Sequence, residues 1–218
     1  MVIIMFGPPG CGKGTQARMI TERLRIPAIS TGELLRGEMA AGTPLGKQVQ
    51  TVMSTGGLVS DDLVNQMLLN RISQPDCRDG LLLDGYPRTM EQAIFVDKII
   101  AKKSLGPVLP LHLDVDDEIL VERICARRSC PKCGRIYNLV FQKPAKGTVC
   151  DDCGCGLSRR KDDCCEVARE RLKAYHSQTG RAIDYFRDRG LHAFDATHHP
   201  AEIFAEIDKV LEAELAHA

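Results

Sequence analysis

The segment from Val2 to Thr15 constrains the fold more than any other part of the chain. An apolar run, V-I-I-M-F, passes directly into G-P-P-G-C-G-K-G-T and then into a helical stretch reaching about Arg25. A short unbroken apolar run ended by turn residues reads as a strand buried on both faces, as in parallel sheets. The glycines that follow let backbone N–H groups turn inward around an anion without Cβ clashes, and the helix N-terminus adds its partial positive charge. Lys13 supplies a mobile cation for the outer phosphates of a polyphosphate, a residue that an ordinary glycine-rich turn has no need of. The usual pattern, G-x4-G-K-[ST], puts a hydroxyl at position 14. Here Gly14 precedes Thr15, which leaves the magnesium-ligand role of that hydroxyl open.

Strand and helix signals alternate through the rest of the chain. Strands are expected at 28–30, 81–84, 108–115 and 192–195. The helices between them carry recognisable ends. Ser30 or Thr31 with Glu33 forms a capping box for a helix over 33–41. Thr43-Pro44 opens a helix over 44–54 and Gly56-Gly57 closes it. Ser60-Asp61-Asp62 begins a helix to about Ile72, and Thr89 with Gln92 caps one to about Lys103. Further helices are expected from Asp116 to about Arg128 and from Asp163 to about Arg189, and a last one aligns Ile203, Ile207 and Leu211 on one face. Such alternation predicts an α/β, three-layer fold with a central parallel five-stranded sheet wrapped by helices. Residues 1–218 read as one core domain interrupted by insertions at 30–60 and 127–164, the second rich in Cys, Gly and Lys.

Composition bounds the partners. With 29 Lys plus Arg against 29 Asp plus Glu, a surface that coats nucleic acid or anionic membrane is not expected. No apolar run approaches the ~20 residues needed to span a bilayer. The apolar start is too short for a signal peptide. A cytoplasmic location is therefore expected, and ten cysteines are many for it. Four of them resolve the oddity. Cys130-x2-Cys133 and Cys150-x2-Cys153 are paired knuckles, and a set of four thiolates filled entirely by protein suits structural Zn²⁺, with iron or cobalt as other fits. Cys155 is an alternative to Cys153. Cys11, Cys77, Cys125, Cys164 and Cys165 read as small buried or partly buried residues, and disulfides are not expected.

Four motifs in order, G-P-P-G-C-G-K-G-T at 7–15, S-T-G-E-L-L-R at 30–36, L-L-D-G-Y-P-R-T at 82–89 and R-R-K-D-D at 159–163, resemble the adenylate kinases, within the nucleoside monophosphate kinases. The resemblance runs from Met1 to about Asp195, and the cysteine knuckles are similar to those of its long, metal-carrying members. It implies reversible transfer of the γ-phosphate of Mg-ATP to AMP, giving two ADP, by an enzyme that is usually a monomer. It further implies ATP contacts from Gly10, Cys11, Gly12, Lys13, Gly14, Thr15, Arg123, Arg127, Ile136 and Tyr137. The AMP contacts it implies are Thr31, Arg36, the Gly57-Leu58-Val59 backbone, Gly85, Arg88, Gln92, Arg160 and Arg171. Lys13, Arg88, Arg127, Arg160 and Arg171 would serve the transfer itself, and Asp84 would hold Mg²⁺ through water.

The residues agree with that chemistry. Phosphoryl transfer requires positioning and charge neutralisation more than covalent work by the protein. The chain carries 18 Arg against 11 Lys, and Arg88 lies just past the carboxyl end of a predicted strand, where ligands bind in open α/β sheets. Plainer readings stand beside these. Arg123 and Arg127 are four apart and could form a solvated helix face; Arg160 could belong to a charge run; Gln92 is also a capping residue; Asp84 could cap a turn. Arg18, Arg23, Arg25, His198 and His199 read as surface residues. The two insertions suit covers that exclude water from the transferring phosphate, 30–60 over AMP and 127–164 over ATP. The alternatives are a kinase for UMP or CMP, a zinc ribbon on a nucleotide-binding core, and a metal sensor. Tyr137 and Phe141 are too few aromatics for a base-stacking platform in that ribbon.

Overall fold

A computed structural model describes residues 1–55, 57–160 and 162–216. Five parallel strands form the central sheet: β1 (Val2–Phe6), β2 (Ala28–Ser30), β3 (Leu81–Asp84), β4 (Val108–Asp114) and β7 (His192–Asp195), in the order β2-β3-β1-β4-β7. Val2 pairs with Leu81 on one side and Val108 on the other, so β1 is central and every one of its residues is buried. That explains the unbroken apolar run: both faces of the strand meet helices.

Alternate residues of the strands serve opposite layers. Ile4, Phe6, Leu81 and Leu83 pack with Leu68 of α4 (Asp61–Ile72), Val96 of α5 (Met90–Lys103) and Phe186 of α7 (Cys165–Arg187). Ile3, Met5 and Leu82 pack with Ile20 of α1 (Lys13–Leu24), Leu120 of α6 (Asp117–Cys125) and Ile207 of α8 (Pro200–Ala216). All five strands run the same way, so their carboxyl ends, and the loops that leave them, share one edge of the sheet. Among the described residues, no helix is long and apolar enough to cross a membrane.

The first insertion holds α2 (Thr31–Ala40) and α3 (Pro44–Thr55), packed against each other. The expected capping box at 30–33 does not form. Ser30 makes no side-chain cap, and the Thr31 hydroxyl donates instead to the carbonyl of Gly85, 3.1 Å away, tying α2 to the end of β3. Gly56 lies outside the described residues, and Gly57 N–H donates to Val52 O (3.1 Å). The second insertion contains a small antiparallel hairpin, β5 (Arg127–Ser129) and β6 (Ile136–Asn138). Pairing with β6 ends α6 at Cys125, before the expected Arg128. At the other end α7 begins at Cys165, because the Asp163 carboxylate accepts from Arg127 and its carbonyl accepts from Arg159.

The structure also joins Cys125 and Cys165 by a disulfide, with Cα atoms 5.9 Å apart, contrary to the expectation of free thiols. These residues close the two ends of the second insertion. Their separation of 40 positions hides that adjacency in the sequence.

Candidate active site

The phosphate loop is shaped by glycines that other residues could not replace. Gly10 and Gly12 adopt φ of 90° and 105°, and a Cβ on Gly10 would come within 2.8 Å of Ile124 Cγ1. Lys13 Nζ donates to the carbonyls of Gly7 (2.6 Å) and Pro8 (2.9 Å), so the ammonium sits inside the loop's own curve. Cys11 is buried, and burial pushes its thiol up from the ordinary range. A Cβ on Gly14 would meet Ile136 Cδ1 at 3.0 Å, which places the β5–β6 hairpin directly over the loop.

Every nucleotide-contact residue expected from the sequence lines one cavity of about 750 Å³. The phosphate loop, Arg123, Ile136 and Tyr137 form one end. Thr31, Arg36, residues 57–59, Gly85, Arg88 and Gln92 form the other, with Asp84, Arg127, Arg160 and Arg171 also on the walls. The plain reading of Arg123 and Arg127 as a solvated helix face fails. Arg127 is in β5, where Nε donates to the buried Asp163 (2.9 Å), and Arg123 Nη1 donates to Ala196 O (2.8 Å).

The electrostatics of this cavity point to an anionic occupant. Burial, then the neighbouring Arg36 and Arg127, lowers Arg160 to about 10. Burial, then Arg127, lowers Arg171 to about 10, with Arg88 adding repulsion and Asp162 opposing it. Arg88 is lowered by burial, opposed by Asp84, with Arg36 adding repulsion. Arg127 is raised: burial works against its charge, but Asp163 overrides burial. The guanidiniums of Arg36, Arg88, Arg127, Arg160 and Arg171 thus crowd one another, and Glu33, Asp84, Asp162 and Asp163 offset only part of that repulsion. An oxyanion with several charges removes that repulsion and takes their paired N–H donors.

Several contributors were not read as site residues from the sequence. Asp162 holds Arg171 at 3.0 Å, and Glu33 of α2 meets Arg160 at 3.6 Å. Phe141 lies under the Arg123 guanidinium (5.4 Å to the ring centre), and both line the cavity. Asp61 accepts from Thr89 and Gln92. Asp162 and Glu33 lay within recognisable motifs, Asp61 read only as part of a helix start, and Phe141 only as one of two aromatics in the ribbon. His198 and His199, read as surface, are exposed and also line the rim.

The cysteine group stands beside the nucleotide cavity, with Cys133 on its wall. The sulfurs of Cys130, Cys133, Cys150 and Cys153 all lie within 4.8 Å of one another. Cys130–Cys153, Cys133–Cys150 and Cys133–Cys153 are separated by 3.4, 3.5 and 3.7 Å. A tetrahedral ion with metal–sulfur bonds of ~2.3 Å has sulfur–sulfur edges of about 3.8 Å, so the quartet can hold a metal ion. The Tyr137 hydroxyl accepts from Asp151 N–H (2.7 Å) and faces Cys150 Sγ (3.4 Å). That contact is the first cause holding the Cys150 thiol down at about 6. Cys155 lies outside this quartet; its carbonyl accepts from Cys150 N–H (2.8 Å).

A lysine-bearing phosphate loop at the edge of a parallel sheet, opening into an arginine-walled cavity with room for a second anion, defines a class: P-loop enzymes that move phosphoryl groups. The adenylate kinase family model matches residues 5–191. An adenylate kinase of Trichlorobacter lovleyi is 48% identical over 191 residues, 87% of this chain and 88% of that protein. One from Anaeromyxobacter dehalogenans is 44% identical over 214 residues, 97% and 99% of the two chains. One from Symbiobacterium thermophilum is 46% identical over 191 residues, 88% of each. The chain belongs to the adenylate kinase family and is a nucleotide-binding transferase.

Proposed function

We propose that this enzyme transfers the γ-phosphoryl group of Mg-ATP to AMP, reversibly, giving two ADP. The observation that carries the reading is the set of crowded guanidiniums between two anion subsites, the phosphate loop on one side and Arg36 with Arg88 on the other. Lys13 leaves the Gly7 and Pro8 carbonyls for the outer phosphates of ATP. Arg127, Arg160 and Arg171 neutralise the group in transit, and Arg36 and Arg88 hold the acceptor phosphate in line. Thr31, the backbone at 57–59, Gly85 and Gln92 complete the AMP side, while Arg123, Ile136 and Tyr137 flank ATP. Asp84 lines the cavity and makes no ion pair among the described residues, which suits a carboxylate that holds hydrated Mg²⁺. When bound there, Mg²⁺ supplies charge neutralisation at the phosphates.

The insertions at 30–60 and 127–164 act as covers over AMP and ATP. Arg160–Glu33 (3.6 Å) spans from one to the other, and Arg18–Asp152 (3.5 Å) ties the second to α1. Closure keeps water from the transferring group. The four cysteines hold structural Zn²⁺, which rigidifies a segment too small for a core of its own. ATP offered separately with AMP, GMP, CMP and UMP tests the reading. Diphosphate formation with AMP alone is expected. Faster turnover of UMP or CMP would move the reading to another monophosphate, and no turnover of any would refute it.

A further inference from the structure

Gln92 is 3% exposed, lines the acceptor end of the cavity, and has both ends of its amide engaged by protein. Nε2 donates to Asp61 Oδ1 at 2.7 Å, and Oε1 accepts from Arg88 N–H at 2.8 Å. The other Asp61 oxygen accepts from the Thr89 hydroxyl (2.6 Å), whose oxygen in turn accepts from Gln92 N–H (3.2 Å). The Tyr86 hydroxyl closes the far side against Gln92 O (3.2 Å) and Asn65 Oδ1 (2.6 Å).

An amide side chain is normally ambiguous, since its oxygen and nitrogen are nearly isosteric and can exchange places by a flip. Here that freedom is removed. An ionised carboxylate only accepts and a main-chain N–H only donates, so a flipped Gln92 would face oxygen against oxygen at Asp61 and N–H against N–H at Arg88. One hydrogen on Nε2 and one lone pair on Oε1 remain. This is the complement of a 6-aminopurine, whose amino group donates and whose N1 accepts. A 6-oxopurine presents the reverse, an accepting O6 and a donating N1–H.

We propose that Asp61 is a positioning residue for acceptor-base choice: it locks the Gln92 amide in the orientation that accepts a 6-aminopurine monophosphate and rejects a 6-oxopurine one. The inference rests on the reading of Gln92 as an AMP contact and takes that contact to be with the base. A site built around hydrogen bonds rejects a mismatched analogue strongly, because its buried polar groups are then left unpaired. Asp61 imposes this without touching the nucleotide.

The test compares kcat/KM for AMP and for inosine monophosphate, which differs only at the purine 6-position and N1. Asp61→Asn, whose amide can also donate, is expected to lower the AMP-to-inosine-monophosphate ratio about tenfold. KM for AMP should rise and KM for ATP stay unchanged. Asp61→Glu keeps an obligate acceptor and should keep most of the discrimination. Equal loss in both variants, or no loss in Asp61→Asn, overturns the proposal. If Asp61→Asn does not fold, Asp61→Ser takes its place with the same expected fall. Gln92→Leu separates the two layers of argument: an unchanged ratio there refutes the base contact itself. A collapsed ratio in Gln92→Leu with an intact one in Asp61→Asn refutes only the lock.

Discussion

Lys13 Nζ satisfies itself on the carbonyls of Gly7 and Pro8, so the phosphate loop carries its counter-charge ready and close. Behind that loop lies a titratable group with a different task. His112 of β4 faces the Tyr175 hydroxyl of α7 at 3.2 Å. Burial lowers its pKa from the ordinary value, Asp114 opposes, and Lys13 and Arg187 lower it further. The unfolded chain therefore binds this proton more readily than the folded one, so the His112 contribution is fully present above about pH 6.5 and is lost as pH falls through the folded value. The melting midpoint should fall between about pH 7 and pH 5, and His112→Gln should flatten that fall. An equal slope in parent and variant would remove His112 as the cause. Residues of this kind were not legible in the sequence. Arg88 was, because it follows a proline just past a strand end, and Arg36 and Arg160 were, because each belongs to a recognisable motif. His112 and Asp61 owe their significance to partners 63 and 31 positions away.

Elements show the same division. The boundaries of α4, α5, β3 and β7 were readable from caps and apolar period, and Thr89 does accept from Gln92 N–H as the N-cap of α5. The β5–β6 hairpin was not readable, because R-R-S and I-Y-N form neither an apolar run nor an alternation. Gly46 is a second example: a Cβ there would strike the Glu38 backbone, so α3 crosses α2 only through a glycine that no sequence pattern marks. The hairpin also supports the cysteine quartet, since Tyr137 of β6 contacts Cys150. Removing metal from reduced protein with a chelator, or the change Cys133→Ser, should lower the melting midpoint. A loss of ~2 kcal/mol corresponds to about 4–8 °C at this chain length. Reduced protein that carries no stoichiometric metal, or whose midpoint ignores its removal, would refute a structural metal.

Across the whole molecule, zero net charge coexists with a concentrated field. Arginines from β5, the β3 loop, the second insertion and α7 converge on one cavity. Replacing residues 128–163 by a tight turn removes Arg160 and the Asp163 partner of Arg127, and uncovers the phosphate loop. Phosphoryl transfer should fall by more than about 10²-fold and slow ATP hydrolysis should appear. Full transfer activity in that variant would refute the cover. The ten cysteines likewise divide by position: a quartet that can hold metal, a disulfide across the neck of the same insertion, buried thiols at Cys11 and Cys77, and half-buried ones at Cys155 and Cys164.

The sequence by itself determined the strand–loop–helix opening, the parallel sheet and a four-cysteine set spaced to hold a metal. Each of these is written in local pattern: apolar runs, glycine spacing beside Lys13, and C-x2-C pairs. Only the tertiary structure decided that Arg127 pairs with Asp163, that Cys125 meets Cys165 and that Asp61 holds the Gln92 amide. These are matches between side chains 31 to 40 positions apart. They exist because packing against one sheet turns particular helix faces and loop ends toward each other, and local pattern does not encode that.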